Sequence, residues 1–310
     1  MVANLSEPLM LRSLACGGVV YSIHHRLSFS YGGPAVKNRN EVRLCPGSDE
    51  RQNCKSFELR TDPCGDVKKE QDQFGNHVHY FEIRGSHQFL NIETCSVVSI
   101  TEAPAAQLVN IPLADMAACE VAAEPGNARY LAPSPQIPYV EAVEELVCSA
   151  EKQSKGSVAA FVEVAAALIR SRFRYRLGVT HASSSIIDLL KTKSGVCQDF
   201  AHLLIGVLRW RGIPARYVSG YLVPEYLSDP LYKGDRLFRT QAGHAWVEFF
   251  LPLDGWVGID PTLGITPNLR HVRIACGRDY SDAAPVSGIY QGHPRSHLQS
   301  MIEISALQGA

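Results

Sequence analysis

One cysteine at the start of a predicted amphipathic helix constrains this chain more than any other feature. Small residues precede Cys197, and an apolar stripe at helical spacing follows it. The stripe consists of Phe200, Leu203, Leu204, Val207 and Leu208. A thiol at a helix N-terminus lies at the positive end of the helix dipole, which favours the thiolate. Free backbone N–H groups at the same place can stabilise an oxyanion. The pattern therefore predicts a nucleophilic cysteine.

Downstream of Cys197, a histidine and an aspartate have side chains that can assist a thiol nucleophile. His244 begins a predicted strand directly after Gly243, and Asp260 ends the next predicted strand, directly before Pro261. Taken alone, each of these residues is more often structural than catalytic. Cysteine, histidine and aspartate in this order are typical of a nucleophile, its base and the group that orients the base.

The hairpin that carries the histidine and the aspartate raises a difficulty. We expect residues 252–255 to form its loop, so that residue 251 pairs with residue 256. Asp260 then opposes Val247, and His244 opposes Leu263. The two side chains lie three positions out of register, and only a bulge or a different loop brings them face to face.

Composition excludes several classes of function. The 310 residues are 45% hydrophobic and 20% charged, with a net charge of −1, so we expect neither a nucleic-acid nor a membrane partner. No apolar run approaches the roughly 18 residues of a membrane-spanning helix. The nine cysteines are scattered along the chain, and the spacing of Cys45, Cys54 and Cys64 is not that of a zinc site. These features predict a reduced, cytoplasmic protein without a cofactor or a metal ion.

The chain divides into three predicted parts. Residues 17–104 contain short alternating strands with turn signals, typical of a small β-sandwich. An alanine- and proline-rich connector spans 105–138. Residues 139–310 form an α+β domain, in which helices precede an antiparallel sheet. Its predicted helices cover 139–151, 158–172, a short segment from Ser184 or Ser185, and the segment from Cys197 to Trp210. Its predicted strands cover 215–223, 244–251, 256–260, 272–275 and 301–305.

Four long segments carry a family resemblance. They cover residues 195–202, 212–221, 244–248 and 255–262, and the likeness continues through 277–288. These segments closely resemble the bacterial transglutaminase-like cysteine peptidase family, and the turn at 72–76 is similar to one in that family's N-terminal β region. The resemblance covers roughly residues 18–305.

The resemblance implies a papain-like α+β core, with helices packed on an antiparallel sheet, behind a small β-sandwich domain. It implies Cys197 as nucleophile, His244 as general base and then acid, and Asp260 as the orienting group. The expected function is hydrolysis of an amide or isopeptide bond in a peptide or protein substrate through a thioester. No cofactor is implied.

Three alternatives stay open. A protein-glutamine transglutaminase would pass the acyl group to an amine instead of water. A non-catalytic binding module on this fold would be expected to lack one of the three residues, and all three are present. A zinc site built from the same three residues would need a fourth ligand.

Several residues around the cysteine have two alternative roles, one functional and one structural. Tyr175 and Thr180 are candidates for a second oxyanion donor or a substrate wall, or they pack at a helix exit. Asp199 and His202 are expected to be structural, as a charge at the helix N-terminus and a packed helix residue. The loop at 224–240 is expected to border the cleft, since it ends close to His244.

Overall fold

The computed structural model describes residues 18–102, 111–113, 126–228, 237–252 and 254–307. The predicted connector, 105–138, therefore lies in part outside the described residues, as does the predicted cleft loop, 224–240. In the described parts of the chain, no helix is long and apolar enough to span a membrane.

Between residues 18 and 102 the chain is mostly strand, and from Glu144 onward the described parts of the chain mix helices and strands. The described strands are β1 (Val19–Val42), β2 (Gln52–Asp62), β3 (Lys68–Gln71), β4 (His77–Ile83), β5 (His87–Ile100), β6 (Arg174–Tyr175), β7 (Ser194–Gly195), β8 (Ala215–Leu222), β9 (Leu237–Thr240), β10 (His244–Leu251), β11 (Gly255–Ile259), β12 (His271–Gly277), β13 (Val286–Gly292) and β14 (Ser296–Leu307). The described α-helices are α1 (Glu144–Ser154), α2 (Val158–Arg172), α3 (Ile186–Thr192), α4 (Cys197–Trp210), α5 (Glu225–Ser228) and α6 (Tyr280–Ala283).

Eight of the described strands form one antiparallel sheet around the long strand β1. The central path runs β2-β5-β1-β14-β9; β13 and β4 also pair with β1, and β3 pairs with β4. Strands from both ends of the sequence share this sheet, because β14 lies beside β1 in register from Val20–Leu307 to Tyr31–Ser296. The sheet therefore combines strands from the N-terminal and the C-terminal parts of the chain.

A second antiparallel sheet, with the order β11-β10-β8-β12, contains the predicted strands that carry His244 and Asp260 at their ends. Helix α4 packs on β10 and β8, and its apolar stripe joins the main core, in which Phe200, Leu203 and Leu204 are at most 2% exposed. Helices on an antiparallel sheet confirm the predicted α+β class. Helix α2 has the predicted bounds, and α3 begins after its predicted cap, Ser185, which accepts a hydrogen bond from the Ile187 N–H.

Two amide side chains join the two sheets at the edge strand β12. The side chain of Gln52 donates to the Arg273 carbonyl at 2.8 Å and accepts from the Arg273 N–H at 2.8 Å. Asn76 makes the same pair of bonds to the backbone of Cys276, at 2.7 and 2.8 Å. Each amide replaces part of a missing neighbouring strand, so backbone groups that would otherwise be buried without partners are satisfied.

Candidate functional site

The cysteine predicted as nucleophile is the first residue of α4. The helix starts there because the Asp199 carboxylate accepts hydrogen bonds from the Val196 N–H at 2.8 Å and from the Thr180 hydroxyl at 2.6 Å. The carboxylate crosses directly over Gly195, where an added Cβ would lie 2.6 Å from Asp199 Oδ2. A glycine is therefore required next to the cap, and Cys197 is held at one point of the helix start.

His244 and Asp260 lie in direct contact. Nε2 of His244 and Oδ2 of Asp260 are 2.7 Å apart, with 9% of the histidine side chain and none of the aspartate side chain exposed. This contact leaves Nδ1 of His244 for the thiol of Cys197, which also interacts with the imidazole. The structure therefore brings the three predicted residues together.

The hairpin register differs from the one expected from the sequence. Leu251 pairs with Gly255 and Val247 pairs with Ile259, so the loop contains residues 252–254 and is one residue shorter. Gly255, at φ +71°, supplies the left-handed conformation that closes this loop. The expected pairing of Asp260 with Val247 was wrong by one position.

This one-residue difference places both side chains on the same face of the sheet. Side chains alternate between faces along a strand, so a shift of one position moves a residue to the other face. Extending the observed register by one residue beyond the Val247–Ile259 pair places Asp260 opposite Trp246, two residues from His244. Backbone N–H groups of Thr262 and Leu263 then donate to Asp260 Oδ1 at 2.8 and 3.1 Å and hold the carboxylate.

A second histidine, which the sequence analysis missed, binds the same carboxylate. Nε2 of His271 lies 3.2 Å from Asp260 Oδ2. Because the Asp260 carboxylate can only accept, Nε2 carries the proton and donates it to the aspartate, and Nδ1 accepts from the Asn268 N–H at 3.2 Å. The Trp246 ring packs edge-on against His271 at 5.3 Å. The only signal in the sequence is the position of His271 at the start of a strand, which is too common to identify it.

The titration of these groups follows from their contacts. Burial alone would lower the pKa of His244, but the hydrogen bond that His244 donates to Asp260 and the neighbouring Cys197 outweigh it and raise the pKa to about 9. Burial would raise the pKa of Asp260, but hydrogen bonds from His244 and His271 bring it below its ordinary value. For His271, burial exceeds the effect of Asp260 and lowers the pKa. His244 is thus a cation and Asp260 an anion at neutral pH.

Tyr175 lies at the mouth of the site. Strand β6 runs parallel to β7 and pairs Tyr175 with Gly195, two residues before the cysteine. The tyrosine ring meets Phe200 edge-on at 6.1 Å and remains 51% exposed. Partial burial raises the pKa of the tyrosine, and its hydroxyl interacts with both the thiol and the backbone N–H of Cys197. Of the two predicted supporting residues, Tyr175 reaches the thiol, whereas Thr180 contacts Asp199.

The helix residues predicted to be structural have structural contacts. Asp199 is 2% exposed and makes the cap described above. His202 is fully buried, and its Nε2 accepts from the Tyr280 N–H at 3.1 Å. Burial lowers the pKa of His202 to about 3, so this histidine is neutral.

Among the described residues, His244, Asp260 and His271 form a group with metal-ligating atoms, which lie within 4.8 Å of one another. This set differs from the zinc alternative considered from the sequence, because His271 takes the place of Cys197. Both imidazoles contact the same Asp260 oxygen, at 2.7 and 3.2 Å. A metal ion would have to displace these hydrogen bonds and the protons in them.

The comparisons with known proteins agree with this fold. Residues 144–261 match the model of the transglutaminase-like superfamily, and residues 21–99 match that of the bacterial transglutaminase-like N-terminal region. An uncharacterised protein of Mycobacterium leprae is 34% identical over 291 residues, which is 91% of this chain and 97% of that protein. The chain belongs to the transglutaminase-like superfamily, with the bacterial type of N-terminal region.

The chain is similar to two further proteins. A protein-glutamine gamma-glutamyltransferase of Pseudomonas aeruginosa is 31% identical over 164 residues, covering 51% of this chain and 24% of that protein. The crystal structure of a candidate cysteine protease from Cytophaga hutchinsonii superposes with a TM-score of 0.71, covering 95% of this chain and 92% of that chain at 22% identity. The second similarity supports the fold of the whole chain.

Proposed function

We propose that this protein is a thiol-dependent hydrolase of amide or isopeptide bonds in peptides or proteins. The observation that carries the proposal is the 2.7 Å contact between His244 and Asp260, beside a cysteine at a helix N-terminus. A buried carboxylate next to an imidazole stabilises the imidazolium and fixes its tautomer, which a thiol nucleophile requires.

The residues support a two-step acyl transfer. The Cys197 sulfur attacks the amide carbonyl, and the imidazolium of His244 donates a proton to the amine as the C–N bond breaks. A thioester on Cys197 and a free amine result. Neutral His244 then takes a proton from water as the water attacks the thioester, and the carboxylic acid leaves. The proton returns to the Cys197–His244 pair, so the enzyme is restored.

Two hydrogen-bond donors are available for the developing oxyanion. The backbone N–H of Cys197 is one of the free groups at the start of α4. The Tyr175 hydroxyl interacts with this same N–H and with the thiol, so it lies where the carbonyl oxygen of a bound amide would approach. Donors placed at this point stabilise the tetrahedral intermediate more than the substrate.

Transfer of the acyl group of a protein glutamine to an amine (transamidation) is the second candidate function. The relative from Pseudomonas aeruginosa, named a protein-glutamine gamma-glutamyltransferase, favours it. Both reactions proceed through the same thioester on Cys197, and they differ in whether water or an amine resolves it. The three residues have the same roles in either case.

A peptide and isopeptide library, incubated with the purified chain in the presence and absence of a primary amine, tests the proposal. Hydrolysis predicts release of amine without added acceptor, and transamidation predicts products that contain the added amine. Cys197→Ala should abolish both reactions. Cys148→Ala removes an exposed thiol on α1 and should leave them unchanged. Equal activity of the two variants would overturn the proposal.

A further inference from the structure

A cavity of about 170 Å³ lies between the two sheets, next to the candidate site. Its walls come from β8 and β12 of the smaller sheet, from β1 and β14 of the larger sheet, and from Gly243 and Tyr280. Strands from both halves of the chain are therefore needed to form it.

The cavity lies beside the backbone of His244. Gly243 precedes the histidine, and Gly220, another wall residue, pairs with His244 in the ladder of β8 and β10. On the opposite side, the wall residue Tyr280 meets the ring of Tyr217 edge-on at 6.2 Å. Burial raises the pKa of Tyr217 well above its usual value, and the charge of Cys197 raises it further. A substrate bound at Cys197 and His244 therefore has this cavity within reach of its neighbouring groups.

The polar groups of the cavity already bind one another. His25 is 3% exposed, with Nδ1 2.8 Å from the Tyr221 hydroxyl and Nε2 3.0 Å from the Ser300 hydroxyl. Burial, together with the adjacent His24, lowers the pKa of His25 to about 4, so the ring is neutral at physiological pH. Both ring nitrogens are occupied, and no charge is left for an ionic ligand.

The remaining side chains make the cavity apolar. No lysine, arginine, aspartate or glutamate lines it among the described residues. Its apolar wall consists of Leu27, Leu44, Ile274, Pro285, Val286 and Leu298. A charged group placed there would lose its hydration without a compensating partner. An apolar cavity of about 150 Å³ is large enough for benzene, so the volume suits a leucine or phenylalanine side chain.

We propose that this cavity binds an uncharged aliphatic or aromatic side chain of the substrate, adjacent to the amide that reacts with Cys197. The inference rests on the proposed function for the reacting amide and adds the class of substrate. It also gives the larger sheet a role in substrate selection, because His25, Leu27, Leu298 and Ser300 all belong to it.

Binding to the full-length Cys197→Ala protein tests the cavity without any turnover. Ligand-observed NMR would compare N-acetylated leucinamide and phenylalaninamide with the glycine, lysine and glutamate amides. We expect the leucine or phenylalanine ligand to bind at least tenfold more tightly than the glycine ligand, and the lysine and glutamate ligands to gain nothing over glycine. Equal affinities, or a preference for a charged side chain, would overturn the proposal.

Two substitutions on β14 test whether the cavity causes the preference for a leucine side chain. In the Cys197→Ala protein, Leu298→Trp fills the cavity and should abolish the leucine preference. Met301→Trp, at a position of similar exposure on β14 that does not line the cavity, should preserve it. Leu298→Phe replaces the tryptophan variant if that variant folds poorly. A preference that survives filling would refute the assignment.

The result separates the two proposals. Selective binding of leucinamide by a wild-type protein that cleaves no library member would keep the cavity and remove the hydrolase proposal. Cleavage of the library without any side-chain preference would keep the hydrolase proposal and remove the cavity.

Discussion

At the scale of single residues, Asp260 organises the site. Its Oδ2 contacts Nε2 of both His244 and His271, and its Oδ1 accepts two backbone N–H bonds. His244 and Asp260 could be predicted from the sequence, because each stands at the end of a strand in a long family motif. His271 could not, because its contact with Asp260 depends on how β12 packs beside β8.

We expect His271→Phe to lower kcat for amide cleavage about tenfold with little change in KM, because Asp260 loses a donor that holds it against His244. His271→Gln retains an N–H donor and should restore most of kcat. The kinetic constants of both variants test this, with the pH profile of kcat as a second readout. Equal loss in the glutamine and phenylalanine variants would show that His271 acts only through packing.

The hydroxyl of Tyr175 should matter more for the oxyanion than for the thiol. Loss of one oxyanion donor costs about a hundredfold or more in kcat, so we expect Tyr175→Phe to have an effect near that size. Alkylation of Cys197 by iodoacetamide forms no oxyanion, and its rate should stay near that of the wild type. If both rates fall together, Tyr175 supports the thiol and the oxyanion assignment fails.

At the scale of secondary-structure elements, the start of α4 and the β10–β11 hairpin position the chemistry. The helix could be predicted because its apolar stripe, the small residues before it and its exit at Gly212 all agree. The hairpin register could not, because a three-residue loop and a four-residue loop fit the same sequence. The left-handed conformation of Gly255 decides between them.

Gly195→Ala should disturb the helix start. The added Cβ would lie 2.6–2.8 Å from the Asp199 carboxylate that caps α4, so either the cap or the β7 backbone must move. We expect a loss of about 1–2 kcal/mol in the free energy of unfolding, as for a lost cap, and a lower kcat. Urea unfolding and amide-cleavage kinetics measure the two effects.

Gly206→Ala on the same helix is the matched control. An added Cβ there meets only ordinary contacts of 3.5 Å, with Ile137 and Ile186. Since alanine favours a helix over glycine by up to about 1 kcal/mol, this variant should be as stable as the wild type or more so. Similar destabilisation by both substitutions would contradict the proposed close approach at Gly195.

At the scale of the whole molecule, the two sheets depend on each other. Gln52 and Asn76 supply hydrogen bonds to the edge strand β12, and His25 of β1 contacts Tyr221 of β8. The sequence predicted the α+β class and many of the strands. It did not predict that β9, β13 and β14 join the N-terminal strands, because pairing between distant segments depends on tertiary packing and leaves no local pattern.

The stability of the folded protein should depend on the protonation of His244. Because its pKa is raised to about 9 from 6.5, the stabilisation is fully present below pH 6.5 and is lost as the pH rises through about 9. At about 1.4 kcal/mol per pKa unit, the contribution is about 3 kcal/mol. Urea unfolding of the wild type and His244→Gln at several pH values measures it. The difference between them should shrink between pH 6.5 and 9; a constant difference would contradict the raised pKa.

The most direct test of the central claim is peptide mapping by mass spectrometry of protein quenched in acid during turnover of an amide substrate. The account predicts the mass of the acyl group on the peptide that contains Cys197, and no adduct or amine release with Cys197→Ala. An acyl group on another residue, or amine release by Cys197→Ala at the wild-type rate, would contradict it.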